Sequence, residues 1–142
     1  MSDMTNQTWI ILGATSSMAR ALARELAVQG AALILCGRNK SELKALTKDA
    51  ELRGAAKADA LSFDARDPET FAPIVSRASK VEGVVNVAVF CGSMPPQAEV
   101  EADPGKLPGV IQDSYTGPAQ LLLMLAPILE ERGQGTVIGV GS

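Results

Sequence analysis

Residues 13–19, Gly13-Ala14-Thr15-Ser16-Ser17-Met18-Ala19, are small or hydroxyl-bearing for the most part, and they join the apolar run Trp9-Ile10-Ile11-Leu12 directly to a helical pattern. A turn of this composition, ending a strand and opening a helix, gathers unpaired backbone N–H groups and the positive end of a helix dipole at one point. That point suits a phosphate. Thr15 and Ser16 add hydroxyls for the same ligand. The other reading of the segment is an ordinary tight turn that binds nothing. Further candidate residues stand at the ends of later apolar runs: Gly37-Arg38-Asn39, Asp64-Ala65 and Phe90-Cys91-Gly92.

The elements that must position these residues alternate along the chain. Residues 8–12 read as a first strand and 17–29 as a helix, with Ala21, Leu22, Glu25 and Leu26 at helical spacing and Gly30 as its stop. Residues 31–36 form a second apolar run, followed by a charged helix over 41–53 that starts at Ser41 and ends at Gly54. Residues 56–63 give a third strand, poor in β-branched side chains. Asp67-Pro68-Glu69 then opens a helix, with proline where its missing N–H costs little. Residues 84–90 are apolar at nearly every position except Asn86, the pattern of a parallel strand covered on both faces. Residues 93–108, rich in proline and acid, read as a surface loop; a long helix over 110–132 and a fifth strand over 136–140 complete the series.

Strands alternating with helices imply right-handed crossovers and an α/β fold, a Rossmann-like doubly wound parallel sheet of order 3-2-1-4-5. The crevice of such a sheet opens at the C-terminal ends of strands 1 and 4, so Gly13–Ala19, Gly37-Arg38, Asp64-Ala65 and Phe90-Cys91-Gly92 are expected to converge there. At 142 residues a single domain spanning 1–142 is the natural count.

The end of the second strand narrows the ligand. A site for NAD normally has a carboxylate here to bind the ribose hydroxyls. This chain has Cys36-Gly37-Arg38-Asn39 instead, an arginine where a 2′-phosphate would sit. A guanidinium can hold that group through two hydrogen bonds, so NADP(H) is expected over NAD(H); the other reading of Arg38 is a solvated surface arginine that opens the charged helix. The turn at 13–19 departs from the three-glycine form, with Gly13, Ser17 and Ala19 in the corresponding places. Ser17 still offers a backbone N–H, and Ala19 still allows close packing of helix on strand.

Composition excludes other chemistries. A net charge of −3 gives no reason to expect nucleic acid or an anionic membrane as partner. No stretch is long and apolar enough to span a bilayer, and no basic-then-apolar leader opens the chain, so a cytoplasmic location is expected. With no histidine, Ser-His-Asp and Cys-His mechanisms are closed to the chain acting alone. Cys36 and Cys91 each close an apolar run, about 10 Å apart if they flank the first strand. That is too far for a disulfide, and two cysteines without histidine make a poor zinc site, so both read as core residues and no metal is expected. No Gly-Lys-Ser/Thr follows the first strand, which sets aside a P-loop hydrolase.

On these residues the chain resembles the short-chain dehydrogenase/reductase family along nearly its whole length. The family's glycine turn aligns with Gly13–Ala19, its basic residue after strand 2 with Arg38 and its adenine-contacting acid with Asp64 in Ser62-Phe63-Asp64-Ala65. Its Asn-Asn-Ala-Gly segment falls on Val89-Phe90-Cys91-Gly92, where the glycine and a small residue before it are kept. Gly-Ala-Thr-Ser and Leu-Cys-Gly-Arg resemble a bacterial subgroup similar to sugar-lipid 2-keto reductases.

The resemblance implies catalytic roles for two residues. Ser114, in Asp113-Ser114-Tyr115-Thr116-Gly117-Pro118, holds the place of an asparagine that supports a proton-relay water. Ser142 aligns with the serine that polarises the substrate carbonyl. The family's proton-donating tyrosine, with a lysine four residues on, has no counterpart: Tyr115 is the sole tyrosine, and Ala119 follows it at that spacing. The expectation is therefore the NADP(H)-binding N-terminal portion of an oxidoreductase acting on a small carbonyl or alcohol, truncated after strand 5 and inactive or nearly so alone. The other reading is a non-catalytic dinucleotide-binding or dimerisation module. Residues 121–129 are apolar all round, and the family packs this helix at a dimer interface. A homo-oligomer through residues 110–132 is expected, against a helix buried within one subunit.

Overall fold

Apolar side chains on consecutive residues of a strand must be covered from both sides, and the computed structural model, which describes residues 3–141, covers them with helices. Strands β1 (Gln7–Leu12), β2 (Ala32–Gly37), β3 (Lys57–Ser62), β4 (Val84–Val89) and β5 (Val137–Gly139) form one parallel sheet in the order β3-β2-β1-β4-β5. On β1, Trp9 and Ile11 face helices α1 (Ser17–Val28) and α2 (Lys40–Arg53), joining Ala19, Ala23, Leu26, Leu43 and Ala50. Ile10 and Leu12 face the opposite layer, with Phe71, Ile74 and Ala78 of α3 (Phe71–Ser79) and Leu121 and Leu125 of α6 (Gly117–Arg132). The doubly wound sheet expected from the sequence is the one observed.

Register then places the loops. Leu12 lies level with Cys36 on one side and Val89 on the other, so the segments after β1, β2 and β4 leave the sheet along one edge. Asn86, the polar exception in β4, is buried and serves the sheet: its Nδ2 donates to Gln7 Oε1 at 3.1 Å and its Oδ1 accepts from the Thr136 N–H at 3.0 Å. A buried amide paired on both sides ties β4 to the approach of β5.

Three local expectations are corrected. Helix α2 starts at Lys40, not Ser41, because Asn39 Oδ1 takes the Glu42 N–H at 3.1 Å as the cap and also accepts from Ser41 Oγ. Residues 93–108 are not all loop: α4 (Gln97–Ala102) and a 3₁₀ turn (Pro104–Lys106) lie within them, supported by a Gln97–Glu101 hydrogen bond one turn apart. The helix expected over 110–132 begins earlier, as α5 (Leu107–Ile111), and passes through a π turn (Gln112–Thr116) before α6. Within α6, Leu121 and Leu125 are covered, whereas Leu123 and Met124 are exposed.

Candidate functional site

The strand-end loops meet in a crevice of about 240 Å³. Gly13, Thr15 and Ser16 line it from the turn after β1, Gly37 and Arg38 from β2, and Phe63, Asp64 and Ala65 from β3. Phe90, Cys91, Gly92 and Ser93 line it from the segment after β4, and Asp113 from the π turn. An adjoining crevice is bordered by Ser16, Ser17, Met18, Ser114, Val140 and Gly141, with the segment after β4 shared between the two. Of the sequence-selected residues, Ala19 is buried in the core below the turn, and Asn39 lies outside both crevices, its side-chain oxygen committed to α2. Ser142 lies outside the described residues.

The β1–α1 turn has the build of an anion cradle. Gly13 has φ +78°, which glycine adopts without strain. The Gly13 and Ala14 N–H groups both donate to the Cys36 carbonyl at 3.0 Å, holding the turn against β2. Ser16 caps α1 by accepting the Ala19 N–H at 3.2 Å. The first-turn N–H groups of a helix have no partner inside it, and this cap leaves those of Ser17 and Met18 for a phosphate. Arg20 fixes the turn from behind, with Nε donating to the Thr15 carbonyl at 2.8 Å and Nη2 to Glu42 at 3.2 Å.

The other walls carry polar groups of assignable use. Asp64 accepts the Arg66 N–H on Oδ1 at 2.9 Å, and its own N–H donates to Thr70 Oγ1 at 3.1 Å. One carboxylate oxygen therefore remains for a ligand. Ser114 Oγ accepts the Ser93 N–H at 3.2 Å, which joins the π turn to the segment after β4. Ser93 Oγ is buried on the crevice wall and faces the Asp113 carboxyl. The close approach at Gly13, where a Cβ would stand 2.6 Å from the Phe90 carbonyl oxygen, and the remaining Asp64 oxygen give the crevice walls that fit a nucleotide.

Electrostatics separates the titratable groups. Asp113 sits well below the usual carboxylate range, held there first by hydrogen bonds from Arg66, with smaller help from Ser93 and from the charges of Arg66 and Arg38. Burial pushes the Cys91 thiol up to about 12, and burial drives Cys36 higher still. Neither cysteine is bridged. Among the described residues no cluster of His, Cys, Asp or Glu could hold a metal, and no helix is long and apolar enough to cross a membrane.

Sequence reasoning missed Arg20, Ser93 and Asp113. Arg20 and Ser93 directly follow selected segments, and Asp113 directly precedes Ser114, so nearness was the only signal.

Comparison with known proteins agrees with this arrangement. A sequence model described as short chain dehydrogenase matches residues 7–142. Dehydrogenase/reductase SDR family member 7B of Bos taurus is 32% identical, the alignment covering 96% of this chain and 44% of that protein. An uncharacterized oxidoreductase of Mycobacterium tuberculosis is 28% identical over 97% of this chain and 55% of its own length. The chain thus spans about half the length of the curated relatives it matches. Among solved structures, a short-chain type dehydrogenase/reductase from Mycobacterium ulcerans superposes with a TM-score of 0.86 at 20% identity, covering 99% of this chain and 53% of that one. A variant of actinorhodin polyketide ketoreductase, solved with NADPH, gives 0.84 at 24% identity, covering 100% and 55%. A sheet of order β3-β2-β1-β4-β5 that brings the β1–α1 turn to the crevice between β1 and β4, in a chain matched by that family over residues 7–142, establishes that this protein belongs to the short-chain dehydrogenases.

Proposed function

We propose that the chain acts as a single nucleotide-binding domain that takes NADP(H) in preference to NAD(H) and does not turn over substrate on its own. The observation that carries the reading is Arg38. It lines the crevice beside Gly37, at the strand end where a carboxylate would otherwise receive the ribose hydroxyls. Its fork of donors matches a 2′-phosphate. In this reading the Ser17 and Met18 N–H groups and the Thr15 and Ser16 hydroxyls hold the pyrophosphate. Asp64 and Ala65 flank the adenine, and Phe90, Cys91 and Gly92 pass beneath the remaining ribose. The bound nicotinamide would supply a hydride for a small carbonyl or alcohol in the family's full enzymes. Likeness of fold to a ketoreductase solved with NADPH supports a nicotinamide dinucleotide as the ligand, and the choice of NADP(H) rests on Arg38.

Proton delivery is what the chain lacks. Tyr115 is exposed and borders an apolar groove beside α6 rather than the crevice, and Ala119 follows it four residues on. Ser114, spent on the Ser93 N–H, offers a hydroxyl where the family uses an amide.

The groove beside α6 favours self-association as a second property. Val87, Leu122, Leu125, Leu129 and Val137 line a depression of about 560 Å³, and Leu123 beside it is 76% exposed. Contiguous exposed apolar surface of this kind marks an interaction face. Calorimetric titration with NADPH and NADH tests the main reading: tighter NADPH binding supports it, and equal affinities contradict it.

A further inference from the structure

Asp113 places a carboxylate on the wall of a crevice otherwise suited to an anion. Its side chain is only 15% exposed, and Arg38 is the one cationic side chain among the described residues lining that crevice. An uncompensated carboxylate there would repel a phosphate and draw Arg38 toward itself. Arg66 prevents both. Its Nε donates to Asp113 Oδ1 and its Nη2 to Oδ2, each at 2.8 Å, so both oxygens are taken by one planar fork. The guanidinium lies against α5, where Gly109 leaves it room: a Cβ on that glycine would stand 2.7 Å from Nη2. Gln112 Nε2, donating to the Ala65 carbonyl at 2.9 Å, fastens the same π turn to the same loop.

We propose that Arg66 is a positioning residue for cofactor choice: by occupying both oxygens of Asp113 it leaves Arg38 uncommitted and able to take a 2′-phosphate. The assignment rests on the NADP(H) reading above. Arg66 serves the second crevice acid as well, since its backbone N–H holds Asp64 Oδ1. The charge of Arg38 contributes to holding the Asp113 carboxyl low, so the two groups already feel one another across the crevice. Remove the guanidinium of Arg66, and Arg38 becomes the nearest cation on the wall to answer that charge.

The test compares 2′,5′-ADP with 5′-AMP, which differ only in the group Arg38 is proposed to read. Calorimetric titration is run on the wild-type chain, Arg66→Ala, Arg66→Gln and the double variant Arg66→Ala/Asp113→Asn, with thermal melts alongside. The wild type should prefer 2′,5′-ADP. Arg66→Ala should shrink that preference by about 3- to 10-fold, the scale of one partly exposed charge interaction. Arg66→Gln, which can still bond one carboxylate oxygen, should fall between them. The double variant should regain the wild-type ratio, because no charge is left to capture Arg38. Equal losses for both nucleotides in the Arg66 variants, or no recovery in the double variant, would reduce the pair to a structural clamp on the π turn and overturn the proposal. A wild-type chain indifferent to the 2′-phosphate would overturn the NADP(H) reading itself, and that outcome is visible before any variant is made.

Discussion

A Cβ built on Gly13 would stand 2.6 Å from the carbonyl oxygen of Phe90, so the turn after β1 and the segment after β4 meet at a distance that admits no side chain. The same glycine has φ +78°, a conformation strained for any other residue. The two constraints act together on the floor of the crevice.

Gly13→Ala is therefore expected to destabilise the fold by about 1–3 kcal/mol and to weaken NADPH and NADH alike. Urea unfolding and paired titrations check this. Unchanged stability with unchanged binding would show that the two segments can part without consequence.

Arg20 predicts a different signature. Its grip on the Thr15 carbonyl shapes the turn, while its ion pair with Glu42 is exposed enough to add little to stability. Arg20→Ala should cost both cofactors about 3- to 10-fold in affinity, with a melting temperature near wild type. A loss confined to NADPH would instead place Arg20 at the 2′-phosphate.

The cysteines give a pH-dependent readout. Burial favours the neutral thiol, so Cys91, raised to about 12, stays protonated through the physiological range and becomes a thiolate only in strong alkali. Alkylation of the native protein at pH 8 should be slow at Cys91 and slower at Cys36. The Cys91 rate should rise about tenfold per pH unit while the fold persists. Because Cys91 lines the crevice, bound NADPH should slow it further. Rapid labelling at pH 7 would contradict the burial.

Association through α6 predicts that Leu123→Glu lowers the apparent mass in sedimentation equilibrium without loss of nucleotide binding, since Leu123 borders the apolar groove and not the crevice. A wild-type chain that sediments as a monomer would remove that role.

The sheet was legible because its pattern is local. Continuous apolar runs such as Trp9-Ile10-Ile11-Leu12 read as doubly covered strands, and alternation with helices fixes the order. Convergence of the strand ends follows from that order alone, and Arg38 and Asp64 came with it. What escaped is what depends on distant partners. Arg66 and Asp113 meet across 47 residues, and only the neighbouring Ser114 points toward Asp113. The π turn that aims it has no propensity signature. Asn39 and Ser41 are both competent caps, and only the backbone decides that Asn39 takes the role. Residues 97–102 read as loop because proline and acid surround them, although Gln, Ala and Glu are sound helix formers.

Titration of Arg38→Asp with NADPH and NADH beside the wild type asks most directly whether Arg38 reads a 2′-phosphate. The wild type should bind NADPH more tightly, and the variant should lose at least about tenfold for NADPH with NADH affinity preserved. Equal losses for the two cofactors would contradict that reading and make Arg38 a structural residue of the crevice.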